Sequence, residues 1–175
     1  MAVAESPEPA PSLNALSRSE AAEALTRCCG STRWVQGMLA RLPFASQTAM
    51  FAAAVEIWAQ LGPEDYREAF AHHPEIGSNL GELRAKFAKT ADWAETEQRA
   101  ALGASEATLR ALRDGNRAYR ERFGFSFIVC ATGKSADEML GLLRARLKHA
   151  PDLELDIAAT EQAKITHLRL EKLES

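Results

Sequence analysis

The amino-acid sequence predicts an all-α fold, a single compact domain of seven to nine short helices, and three observations carry that expectation. Apolar residues recur at spacings of three and four along most of the chain, the signature of helices with one buried face. Ser17-Arg18-Ser19-Glu20, Asp92-Trp93-Ala94-Glu95 and Ser135-Ala136-Asp137-Glu138 have capping-box spacing, in which a side chain at the helix start and a carboxylate three residues on satisfy exposed backbone N–H groups. Strand-like and helical segments do not alternate, so no parallel sheet is expected.

In chain order, the first capping box starts a short helix that runs to about Cys28 and ends at Gly30. A second helix follows from about Arg33, with Trp34, Val35, Met38, Leu39 and Leu42 on one stripe and Pro43 forcing the exit. The third has the strongest signal: Met50, Ala54, Ile57, Trp58 and Leu61 mark a core helix in an alanine-rich segment. Gly62 closes it, and Pro63 opens the next, which carries Tyr66 and Phe70 and finishes at His72 or His73. Residues 78–91 give only a weak helical signal around Leu83 and Phe87. The second capping box opens a short helix with Glu97 and Gln98, broken at Gly103, and Ser105 caps a longer one faced by Leu109, Leu112, Asn116, Tyr119 and Phe123. Phe125 to Cys130 reads as an extended, buried run. The third box starts a helix with Met139, Leu142, Leu143 and Leu147 on its apolar side, limited by Pro151, and a final helix spans about Ala158 to Leu173.

A chain of 175 residues with 46% hydrophobic and 26% charged residues suits one ordinary globular domain, placed here at residues 13–175 behind a disordered tail at 1–12. The 21 basic and 24 acidic residues are interspersed and sum to a formal charge of -3, which disfavours nucleic acid and anionic membranes as partners. The opening residues lack the pattern of a secretory signal, and no apolar run approaches the roughly 20 residues of a membrane span. Three cysteines, two of them adjacent at Cys28 and Cys29, make a poor disulfide framework and fit a reducing cytoplasm.

Candidate chemistry centres on His72-His73-Pro74-Glu75-Ile76-Gly77. Pro74 turns His73 away from helical geometry, so an imidazole is presented where the chain leaves a helix. Its ordinary pKa near ~6.5 suits a general acid or base, while on the residues alone a plain helix cap reads equally well. Glu68, His72, His73 and Glu75 could surround a metal, and a metal-dependent hydrolase is one rival reading, although Glu68 with His72 is more simply a solvated pair. Thr132-Gly133-Lys134-Ser135 lacks the earlier glycine of a phosphate-binding loop, Ile128 standing in its place. Cys130 reads as a small buried hydrophobe, and His149 and His167 as surface residues.

His73-Pro74-Glu75-Ile76-Gly77, Glu97-Gln98, the run from Asn116 to Phe125, the run from Phe127 to Ser135 and the run from Glu161 to Leu170 resemble, in order and spacing, the OHCU decarboxylase family. Leu13-Asn14-Ala15-Leu16 and Trp34-Val35 extend the resemblance over residues 13 to 173. It implies an all-helical, cofactor-free and metal-free enzyme, commonly a homodimer, that converts 2-oxo-4-hydroxy-4-carboxy-5-ureidoimidazoline to (S)-allantoin and carbon dioxide. His73 is similar to the family's catalytic histidine and Glu97 to the carboxylate beside it. The resemblance further implies substrate contacts from Pro74, from Ala94, Glu95, Thr96 and Gln98, from Phe127, Ile128, Val129, Cys130 and Ala131, and from Arg169 near the substrate's negative charge. Two positions depart from the pattern: Ala94 stands where serine is usual, and Glu75 where arginine is frequent. Those departures keep open a decarboxylase of a related ureido acid, and a helical binding or adaptor module is the non-enzymatic rival.

Overall fold

Helix starts in this protein are chemically marked, and the marks are mostly serines. The computed structural model describes residues 10–73, 81 and 95–175, with side chains from residue 106 onward in the last stretch. The described residues form a 3-10 turn, Ser12–Ala15, and seven α-helices with no strand: α1 (Arg18–Cys28), α2 (Thr32–Ala40), α3 (Gln47–Ala59), α4 (Pro63–Ala71), α5 (Glu95–Phe123), α6 (Ala136–Arg146) and α7 (Pro151–Leu173). The fold class is therefore all-α, as the sequence predicts. Ser17, Ser31, Ser46 and Ser135 each accept a backbone N–H from three residues on, which satisfies one of the donors a helix start leaves free. Hydrogen bonds from Ser17 hold the Glu20 carboxyl below its ordinary pKa, and those from Ser135 do the same for Glu138. Residues 1–9 of the expected tail, the weak helical segment at 78–91 apart from Gly81, and the cap residues Asp92 to Ala94 lie outside the described residues.

The chain divides into two compact units, Met1–His72 with Thr160–Ser175, and His73–Ala159. In the first, α2 packs on α1, α3 and α4. Leu13, Leu25, Trp34, Met38, Met50 and Phe70 are fully buried there, and the Trp34 indole N–H donates to the Ala54 carbonyl at 3.1 Å. Leu42 and Leu61, expected on helical stripes, fall just beyond the ends of α2 and α3 and are half-buried. The Glu174 carboxylate accepts from the Ser12 N–H at 2.6 Å and the Ser12 hydroxyl at 3.1 Å, so the C-terminal residues hold the N-terminal turn. Asn14 exchanges two hydrogen bonds with the Phe44 backbone, at 2.8 and 2.9 Å. Glu68 is no solvated partner of His72: its two oxygens accept from the Thr32 N–H at 2.9 Å and the Thr32 hydroxyl at 2.6 Å, which ties α4 to the start of α2.

In the second unit, α5 runs for 29 residues without the expected break at Gly103 or the new start at Ser105. A single glycine costs a helix about 1 kcal/mol, and Ala100, Ala101, Leu102 and Ala104 around it are good helix formers. Gly124, with φ of 78°, adopts the left-handed conformation that ends α5. Residues 126–130 have no regular structure, and Phe125, Phe127, Ile128 and Val129 are buried, as expected of that run. On α6 the buried face is Met139, Leu140 and Leu143, whereas Leu142 is exposed and Leu147 lies just past the helix end. The last helix starts at Pro151 rather than near Ala158, because proline at the first helical position loses no needed hydrogen bond and serves as a start as well as a stop. Two helices are thus long, α5 and the 23-residue α7.

At the centre of this unit a charged pair is buried. The guanidinium of Arg146 (side chain 6% exposed) donates from Nε to Glu154 Oε1 at 2.7 Å, and the Glu154 side chain is fully buried. Tyr119 donates its hydroxyl proton to the same carboxylate, and His149 Nδ1 lies 2.9 Å from Oε2. His149 is therefore part of the interior network and no plain surface residue. Burial and the Glu154 hydrogen bond both push the Tyr119 phenol well above its ordinary pKa. Tyr119 also meets the Phe123 ring at a tilt and the Phe125 and Phe127 rings edge-on, and Arg146 lies over the Phe127 ring, 4.7 Å from its centroid. Replacing Glu154 by Leu leaves the guanidinium charged, buried and unpaired, so urea denaturation should show a loss of about 3–5 kcal/mol. A loss below about 1 kcal/mol, the size of a surface pair, would contradict this description.

Candidate functional site

His73 takes its position from the end of α4. Ala71 is the last helical residue, His72 caps the helix with φ of -80° and donates its N–H to Ala69, and His73 follows, half-buried. Pro74, Glu75, Ile76 and Gly77 lie outside the described residues. Gly30 lies directly against His72, the residue before His73. A Cβ there would fall 2.3 Å from His72 Cγ and 2.6 Å from His72 Cβ, far inside van der Waals contact. The sequence marks Gly30 as a helix stop, yet Cys29 is the cap and Gly30 has no positive φ. Its missing side chain makes room for the base of His72, the residue covalently joined to His73.

Arg169, on α7, reaches the other end of the same short connection. Its Nη1 donates to the carbonyls of Arg27 at 3.2 Å and Cys28 at 3.3 Å, the last two residues of α1. Those carbonyls lack helical partners, and a cation is favourable at a helix C-terminus. A guanidinium has five donors, so the rest of the fork stays available for an anion. Cys28 and Cys29 beside it have thiols that burial pushes up to about 11, which keeps both protonated and poor nucleophiles at neutral pH. Arg169 and His72 thus bear on residues two apart in the chain, Cys28 and Gly30.

In the second unit, the segment Phe127 to Ala131 has three of its carbonyls taken up by the protein. Arg146 Nη1 donates to the Ile128 carbonyl at 2.7 Å, Lys134 Nζ to that of Cys130 at 2.8 Å, and the Lys134 N–H to that of Ala131 at 3.1 Å. Thr132-Gly133-Lys134, which fails as a phosphate loop, instead makes the turn that holds this segment, with Gly133 at φ of 74°. Cys130 is half-buried, so the expectation of a buried small hydrophobe is met in part. Of the remaining predicted positions, Glu95, Thr96, Glu97 and Gln98 begin α5, with side chains outside the described set, and Ala94 lies outside it altogether. Sequence reasoning missed Gly30, Lys134 and Arg146 as residues that hold the backbone around the predicted site positions. Only the resemblance string ending in Lys134-Ser135 offered a signal, and for Gly30 and Arg146 there was none.

The profile of the OHCU decarboxylase family matches residues 14–171. The chain is 40% identical over 149 residues to the uric acid degradation bifunctional protein TTL of Arabidopsis thaliana, covering 83% of this chain and 45% of that protein. It is 27% identical over 165 residues to the uric acid degradation bifunctional protein of a Bacillus species, covering 92% of this chain and 31% of that one. The chain therefore spans less than half the length of these two relatives. Among solved structures it resembles an OHCU decarboxylase crystallised in the presence of (S)-allantoin, with a TM-score of 0.68 and 36% identity over 85% of this chain and 94% of that one.

Gly30→Ala tests the packing described around the histidine loop. Overpacking of this kind costs about 1–3 kcal/mol, so the melting temperature should fall and the His72 ring resonances should move in a two-dimensional NMR spectrum. Unmoved His72 signals in a variant as stable as the parent would show that the ring does not rest on Gly30.

Proposed function

The chain belongs to the OHCU decarboxylase family, and we propose that it converts 2-oxo-4-hydroxy-4-carboxy-5-ureidoimidazoline to (S)-allantoin and carbon dioxide, the last step of urate degradation to allantoin. The observation that carries this reading is the match over residues 14–171, a range that includes the His73 motif, Glu97-Gln98, the segment from Phe127 and Arg169.

The chemistry asks for little beyond placed protons and donors. The bond from C4 to the carboxylate breaks, and its electron pair forms a C4–C5 double bond as the C5=N bond passes its own pair to nitrogen, which takes up a proton. The substrate is its own electron sink, so the reaction proceeds by acid/base catalysis without a cofactor. The resulting enol then loses its hydroxyl proton to become a carbonyl while C5 receives a proton. In this reading His73, held by Glu97, moves the hydroxyl proton, and delivery of a proton to one face of C5 sets the (S) configuration. Pro74, together with Ala94, Glu95, Thr96 and Gln98, shapes the substrate's surroundings. The backbone of Phe127 to Ala131 meets the ring and ureido groups. Arg169 meets the substrate's negative charge, for which its always-charged, five-donor fork is suited. The enzyme acts as a homodimer in the cytoplasm in this reading. Among the described residues no helix is long and apolar enough to cross a membrane.

His73→Asn is the test. A positioned acid/base contributes about 10²–10⁴-fold, so turnover of freshly generated substrate should fall by that factor with the melting temperature little changed. Turnover near that of the parent would refute the role of His73. A parent protein that is folded yet inactive on this substrate would point to a related ureido acid, for which the Ala94 and Glu75 departures are the reason, or to a binding role.

A further inference from the structure

We infer that Arg146 is a positioning residue for substrate binding, acting through the Ile128–Val129 peptide, with Glu154 holding it in place. The inference rests on the decarboxylase reading above, in which the backbone of this segment meets the substrate. Its basis is geometric. Arg146 donates from Nη1 to the Ile128 carbonyl at 2.7 Å, and its Nε is held by Glu154 Oε1 at 2.7 Å. Its plane rests against the Phe127 ring at 4.7 Å. The guanidinium is thus held by Glu154, by the Phe127 ring and by the Tyr119 hydroxyl, 3.4 Å from Nη2, and a planar fork so held aims Nη1 in one direction.

The carbonyl of Ile128 and the N–H of Val129 belong to one peptide plane. In a trans peptide the two point in opposite directions, and the cis bond among the described residues lies elsewhere, at Leu42–Pro43. Fixing the carbonyl on Arg146 therefore aims the Val129 N–H away from the network. Val129 is 5% exposed, and nothing among the described residues accepts from that N–H. Buried backbone donors are nearly always paired, so the Val129 N–H is the donor that the polar ring or ureido oxygen of the substrate accepts from. A lysine at 146 could still neutralise Glu154, but a single ammonium cannot span both partners with the geometry of the fork.

The test uses the whole protein with carbonyl-13C isoleucine and 15N valine. Ile128-Val129 is the one Ile-Val pair in the sequence, so a carbonyl–amide correlation spectrum contains a single peak from this peptide. Arg146→Lys should shift that peak and raise KM about tenfold, with kcat within about threefold of the parent, as expected for loss of one oriented donor. Tyr119→Phe removes the hydroxyl's bond to Glu154 and the long 3.4 Å bond it accepts from Arg146 Nη2 but leaves Nη1 on Ile128, so it should lower the melting temperature with a much smaller rise of KM than Arg146→Lys. If Arg146→Lys fails to fold, Glu154→Gln carries the same test, because it keeps an acceptor and loosens the guanidinium, and it too should raise KM. An unshifted peak, an unchanged KM in the folded variant, or an equal rise of KM in Tyr119→Phe would overturn the inference. An inactive parent would instead overturn the decarboxylase reading, and it is recognised because the parent is measured first.

Discussion

A guanidinium and a carboxylate cannot leave water together unless nearly every donor and acceptor they carry finds a partner, and that requirement governs the second unit of this protein. Arg146 and Glu154 meet it by recruiting the Tyr119 hydroxyl, the His149 ring and the Ile128 carbonyl. Each recruit comes from a different stretch of chain: α5, the turn before α7, and the irregular run after Gly124. Taking the two charges out of water costs several kcal/mol per ion, so the arrangement is stable only when all the stretches are in register. The consequence for function is that an irregular segment, which has no ladder of its own, acquires a fixed backbone. Lys134 completes the job from the far end of the segment by holding the carbonyls of Cys130 and Ala131.

The first unit solves a similar problem with less charge. The connection between α1 and α2 is only three residues long, from Cys29 to Ser31, and all three are buried. Arg169 satisfies the carbonyls on one side of it, and His72 rests on the bare backbone of Gly30 on the other. Ser31 turns its hydroxyl to the Trp34 N–H to start α2, and Glu68 reaches from α4 to the same helix start. Arg169, a predicted site residue, and His72, the chain neighbour of His73, therefore both meet a few small residues in a buried crossing.

How much of this the sequence discloses depends on the range of the interaction. The capping boxes at Ser17 and Ser135 and the proline at Pro63 are local devices, and each starts a helix where the sequence predicts one. The buried stripe of Trp34, Val35, Met38 and Leu39 is equally legible, because helical periodicity is local too. Gly103 misleads because a glycine's cost of about 1 kcal/mol is small beside what packing of the same helix at Leu109, Leu112 and Tyr119 returns. Nothing in the neighbouring sequence marks Arg146 and Glu154, since burial of a charge is decided by partners distant in sequence. The site shows the same division. His73 stands out because Pro74 follows it, whereas Glu97, Arg169 and the Phe127 segment carry no local mark and become visible only through the order of motifs that resembles a family.

The decisive measurement is circular dichroism of the allantoin formed when the unstable substrate is generated in place and this protein is added. If the proposed reaction holds, a signal of the (S) enantiomer rises with protein concentration and well ahead of spontaneous decay, as delivery of a proton to one face of C5 requires. Decay at the uncatalysed rate to product without chirality, in the presence of folded protein, would contradict it.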